Sequence, residues 1–147
     1  MGLLSPHRFS ECWTRGVQFS RSFSQQFFEM ELIAPAEFEE AIRKLRSGDA
    51  VTYEEGFDRL QYNLFACIRN IADLLKSEED LFVRTAFVEL IGLADLEEYV
   101  PLLVQELSHQ DRDVRSYAYS MLVISEHVLA RALADDYRRA HPEENFY

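Results

Sequence analysis

Two copies of one short phrase, about 31 residues apart, constrain this chain more than anything else in it. Ser77, Asp80, Val83 and Arg84 recur as Ser108, Asp111, Val114 and Arg115. Thr85 then answers Ser116, Phe87 answers Ala118, and Ile91 answers Leu122. The shared pattern is Asp-x-x-Val-Arg-x-x-apolar-x-x-x-apolar. Val114, Ala118, Met121 and Leu122 fall on one face of a helix, which Asp111 opens with a carboxylate near its positive end. Arg115 follows four residues later, within reach of Asp111 across one turn. The spacing therefore predicts a ladder of pairs, Asp80 with Arg84 and Asp111 with Arg115, fixing the helix starts and the register of the repeat.

Between the two phrases the spacing predicts a helix over 96–107, with Val100, Leu103, Val104 and Leu107 on one side. Asp95 is expected to cap it, with Glu98 at the capping-box position. Pro101 lies inside it and is expected to bend it. A helix with an early proline, a short polar turn and then Asp-x-x-Val-Arg-x-x-Ala-x-x-x-Leu resembles a HEAT-type repeat of the phycobilisome-lyase kind. Val100, Pro101, Leu103, Leu107, Asp111, Val114, Arg115, Ala118 and Leu122 carry the likeness, which is weaker over 77–91, where Phe87 stands at a position usually small. The resemblance implies an all-α fold: a short stack of helix pairs with capping helices. It implies a surface that holds a partner and no reaction.

The rest of the chain is consistent with helices. Pro35 suits a first helical position, Phe38, Ala41, Ile42 and Leu45 form a stripe, and Gly48 ends it, giving a helix over 35–46. Thr52 and Glu55 read as a capping box. From there Phe57, Leu60, Leu64, Cys67, Ile71 and Leu74 keep a three-and-four spacing, which predicts one long helix over 52–75. Ser77 is expected to cap a helix over 78–91 that Gly92 ends. Helices over 112–124 and 126–140 complete the set, the last as a cap, with the closing residues read as a frayed tail whose Phe146 and Tyr147 could tuck back. A single domain, 30–147, is expected. Residues 1–29 differ: Arg8, Arg15 and Arg21 face only Glu11 and Glu29 among many Ser and Phe. An over-extended start before Met30, a capping helix built on Phe19, Phe23 and Phe27, and a presequence all remain open for them.

The chain's 147 residues carry a formal net charge of −11, which argues against nucleic acid as a partner, since neutralising phosphates needs Lys and Arg. A basic protein partner suits that charge better. Cys12 and Cys67 lie far apart, with Cys67 on an apolar stripe, so a reducing, cytoplasmic setting without a disulfide framework is expected. No apolar run approaches a membrane span. The four histidines, His7, His109, His127 and His141, are scattered, so no metal or other cofactor is expected. No Gly-rich phosphate loop or nucleophile elbow occurs, and the chain reads as a binding protein, not an enzyme.

The sharpest form of that reading is a bacterial immunity protein that neutralises a cognate toxin domain by direct binding. A generic scaffold and a bilin-lyase-like protein are the alternatives. The expected contact surface is the off-core side of the two repeated helices: Thr85, Val88 and Glu89 on one, Ser116, Tyr119 and Ser120 on the other, with Glu126 at the edge. Tyr119 has a second reading, as a residue packed on the last helix.

Overall fold

The computed structural model describes residues 33–146, and within them the fold is all-α, with seven α-helices, one 3-10 turn and no strand. The three readings of 1–29 lie outside the described residues. The helices are α1 (Pro35–Leu45), α2 (Ala50–Tyr62), α3 (Leu64–Leu75), α4 (Leu81–Ala94), α5 (Val100–Glu106), α6 (Arg112–Ile124) and α7 (Val128–Ala140). Consecutive helices pack as α1 on α2, α3 on α4 and α5 on α6, with α7 against α6. The second member of each pair also touches the next, α2 against α4 and α4 against α6. One continuous core results, and Phe87, Leu60, Ile71, Leu90 and Leu122 are among its fully buried members.

The expected helix over 52–75 is two helices. Asn63 separates them, and its side-chain amide donates to Arg59 O at 2.9 Å while its own N–H turns to the same carbonyl. An Asn side chain that competes for backbone groups ends a helix even where the apolar spacing runs on, here from Leu60 to Leu64. The break is what gives three helix pairs instead of two.

Helix starts also differ from expectation. Asp49, not Thr52, caps α2, its carboxylate accepting Thr52 N–H at 2.8 Å. Asp80, not Ser77, caps α4, which begins at Leu81 and runs past Gly92 to Ala94. Gly92 serves packing: a Cβ there would run into Cβ and Cγ of Met121 on α6. Pro101 bends nothing, because a 3-10 turn (Glu97–Tyr99) precedes it and it lies in the first turn of α5, where its missing N–H would have no partner anyway.

Asp95 does not cap that helix either. It ends α4 in the left-handed region (φ 45°), which Asp tolerates better than most residues. Its carboxylate accepts Ser125 Oγ–H at 2.6 Å and Glu126 N–H at 2.9 Å, and its carbonyl lies 2.7 Å from His127 Nε2. Burial acts to raise the Asp95 carboxyl, but the bonds from Ser125 and Glu126, with the charges of His127 and Arg131, outweigh it and hold it below the ordinary range. Asp95 thus ties the end of α4 to the turn between α6 and α7.

Candidate interaction face

The repeated arginines are not paired with the repeated aspartates. Asp80 and Asp111 are helix caps: Asp80 Oδ1 accepts Phe82 and Val83 N–H, and Asp111 Oδ1 accepts Asp113 and Val114 N–H. With those oxygens turned into the helix, the arginines look elsewhere. Arg84 forms a fork with Glu106 of α5, Nε to Oε2 and Nη2 to Oε1, both at 2.8 Å. Arg115 forks with Glu144, at 3.1 Å and 2.5 Å. The expected ladder is corrected to a junction between successive elements.

The junction has a grammar that the letters hide. Arg84 Nη1 also donates to Glu78 O, and Arg115 Nη1 to His109 O, each six residues upstream. Arg131 repeats this at α7, donating to Ser125 O at 2.6 Å. In all three turns the same upstream residue holds the capping residue's N–H with its side chain: Glu78 Oε1 for Asp80, His109 Nδ1 for Asp111, Ser125 Oγ for His127. A carboxylate, an imidazole and a hydroxyl do one job, so no common residue type announces it.

The junctions tie α4 to α5 and α6 to the stretch after α7, while α4 and α6 pack directly on each other, and that packing decides which residues face outward. Val88, expected at the surface, is fully buried (0% exposed), and Tyr119 is 7% exposed beneath Tyr137 and Phe146. Both are corrected from contact residues to packing residues. The apolar character that singled them out marks a second buried flank, where α4 and α6 meet their neighbours. Thr85, Glu89, Ser116 and Ser120 are half-buried on the face opposite the core stripes. Thr85 Oγ1 donates to Phe82 O, and Ser120 Oγ to Ser116 O, both at 2.8 Å. Glu126 is exposed at the edge, held through its backbone by Asp95.

Larger residues on this face were missed. Phe82 is 75% exposed and Tyr117 is 41% exposed, and Ile124 extends the α6 row. Tyr53 of α2 meets Phe82 edge-on, with ring centroids 6.1 Å apart, and stacks on Phe57. Phe82, Thr85, Glu89 and Leu93 follow one another at three and four residues, as do Tyr117, Ser120 and Ile124, so extending the off-core rows by one turn would have found them. Between the α1–α2 turn and the start of α4 the face opens into a cleft of about 440 Å³ bordered by Arg46, Asp49, Tyr53 and Phe82.

Glu89 is the charge in this setting. Among the described residues its carboxylate has no hydrogen-bond or ion-pair partner, and burial pushes it above the ordinary range. The Tyr53 hydroxyl is raised too, first by burial and then by the charges of Glu89 and Tyr117, each of which therefore lies within electrostatic reach of Tyr53. A half-buried carboxylate within electrostatic reach of Tyr53, with no cation paired to it among the described residues, is complementary to an incoming Arg or Lys.

Among the described residues, no group of three or more His, Cys, Asp or Glu is placed to hold a metal, and no helix is long and apolar enough to cross a membrane. Cys67 is buried, and burial pushes its thiol up to about 11. No protein-family model, curated protein or solved structure matches the chain.

Proposed function

We propose that the α2–α4–α6 face binds a protein, and that the chain is a HEAT-like helical-repeat module. Its sharpest form is a cytoplasmic bacterial immunity protein that neutralises a basic toxin domain by direct contact. The observation that carries the reading is that exposed Phe82, Tyr117 and Ile124 lie on the same rows of α4 and α6 as half-buried Glu89, which has no cation partner among the described residues. Exposed aromatic anchors beside an uncompensated charge are the composition of an interface centre. The net charge of −11 adds long-range attraction for a basic partner, which acts mostly on the association rate. The packing of each second helix on the next supports the repeat architecture.

The test is co-expression with the product of the neighbouring reading frame, followed by size-exclusion chromatography and stopped-flow binding. A complex is expected, with association slowing as salt rises. Phe82→Ala combined with Glu89→Lys, at unchanged helical signal, should weaken it at least about tenfold, as loss of one anchor implies. Undiminished binding by that variant would remove the face. A neighbouring product that neither binds nor is toxic would remove the immunity reading.

A further inference from the structure

The strongest built site outside that face lies along the N-terminal half of α6. Arg112, Arg115, Tyr119 and Tyr137 form a cradle, and the non-helical stretch 141–146 lies in it. Glu144 receives the fork from Arg115 and a hydrogen bond from Tyr137 O–H at 3.0 Å. Phe146 lies 5.4 Å from Tyr119 and 6.4 Å from Tyr137 by ring centroids, with the Arg112 guanidinium 5.4 Å above its ring. Arg112 Nη2 donates to Asn145 O at 2.7 Å. The Glu144 carboxylate, the Asn145 carbonyl and the Phe146 ring hold the stretch to the helices, and at its start His141 lies against Tyr137, ring centroids 4.5 Å apart.

Part of the cradle is held by groups other than its occupant. Arg115 Nη1 is fixed by His109 O and Gln110 O at 2.9 Å and 2.8 Å, and Tyr119 and Tyr137 touch each other directly. An Arg115 donor that is already aimed loses little freedom on binding. A space of about 110 Å³ bounded by Tyr119, Tyr137, Arg138 and the stretch itself leaves room for a ring larger than Phe.

We propose that this cradle is a peptide-recognition site for a partner's segment carrying a carboxylate two residues before an aromatic ring, with Glu144-Asn145-Phe146 as the resident occupant that such a segment displaces. The site is cationic and aromatic in an acidic chain, so it selects a chemistry opposite to that of the Glu89 face and stands independently of it. The tether gives the resident stretch an effective concentration on the order of millimolar. A competing segment therefore enters only if it binds more tightly than the resident, or if the resident is weakened.

The test uses the full chain and a fluorescein-labelled, amidated peptide of residues 141–146. Glu144→Gln with Phe146→Ala vacates the cradle. By fluorescence anisotropy the peptide should bind this variant at least about tenfold more tightly than the parent, given the tether. Adding Arg115→Ala should weaken binding about fivefold, the equivalent of about 1 kcal/mol, and a scrambled peptide of the same charge should bind neither protein. A folded double variant that ignores the peptide overturns the proposal, as does binding that Arg115→Ala leaves undiminished. A second measurement needs no variant: about millimolar peptide added to the parent should speed hydrogen exchange at the amides of 143–146 and leave α6 unchanged. Unchanged exchange would also overturn it.

Discussion

The Arg84 and Arg115 junctions are two versions of one device, closed differently. Each arginine stands four residues past its capping aspartate and donates to the carbonyl six residues upstream. At Arg84 the carboxylate comes from Glu106, set in helix α5 and only 3% exposed at its side chain. At Arg115 it comes from Glu144, outside any helix and 16% exposed. The neighbouring position differs in step: Val88 is sealed in the core, whereas its counterpart Tyr119 is covered by Tyr137 and Phe146. The chemistry of the pair is the same, so what separates the two is how firmly the carboxylate is anchored and how easily water reaches it.

That difference sets the largest expected effect. Arg84→Ala leaves Glu106 buried without its cation and should destabilise the fold by about 3–5 kcal/mol. Arg115→Ala frees a carboxylate that can swing into water and should cost about 1 kcal/mol. Urea denaturation of the two variants checks this, and equal losses would mean that both junctions are equally anchored. A smaller and deliberately equal effect is expected at the caps. Asp80→Ala and Asp111→Ala each remove a carboxylate that satisfies two helix N–H groups, and each should cost about 1 kcal/mol. A clear inequality there would show that the two turns differ before their carboxylates are considered.

The sequence carried the repeat but not its wiring. The offset and the positions of Asp80, Arg84, Asp111 and Arg115 were legible, and so was the burial of Val83, Phe87, Leu90, Leu103, Leu107, Val114, Ala118 and Leu122, all inaccessible in the structure. The partner of an arginine was not legible, because a side chain that long can reach a local carboxylate or one from another element, and packing decides. The break at Asn63 was hidden by an apolar spacing that continues across it. Val88 and Tyr119 were read as surface because they lie off the main stripe, yet a helix between two neighbours has two buried flanks. Thr85, Glu89, Ser116 and Ser120 were placed on the off-core face by the same spacing rule, while exposed Phe82 and Tyr117 were passed over.

The smallest expected effect belongs to the α2–α4–α6 face and separates it from both junctions, whose charges are paired. Glu89 has a raised carboxyl, so the folded state holds its proton at a higher pH than the unfolded chain does. Between those two values stability falls as pH rises, and above them the full penalty for the ionised form remains. Glu89→Gln should therefore stabilise the protein at pH 7, by less than about 1 kcal/mol because the group is only half-buried. The gain should vanish as pH drops below the unfolded carboxyl range. Melting curves of parent and variant across pH 3–8 would show it, and a loss of stability at pH 7 would mean that the carboxylate has a stabilising partner.

The Arg–carboxylate junction also bears on how such a chain can change length. Everything that orients Arg115 locally lies within its own turn, and the one group brought from outside is a carboxylate on the following element. A tandem duplication of the stretch from Asp95 to Ser125 would carry a new Glu106 to the old Arg115 and present a new Arg115 to the old Glu144. The molecule would grow in steps of about 31 residues, each step reusing contacts already made, while the same closing stretch would seal whichever copy came last.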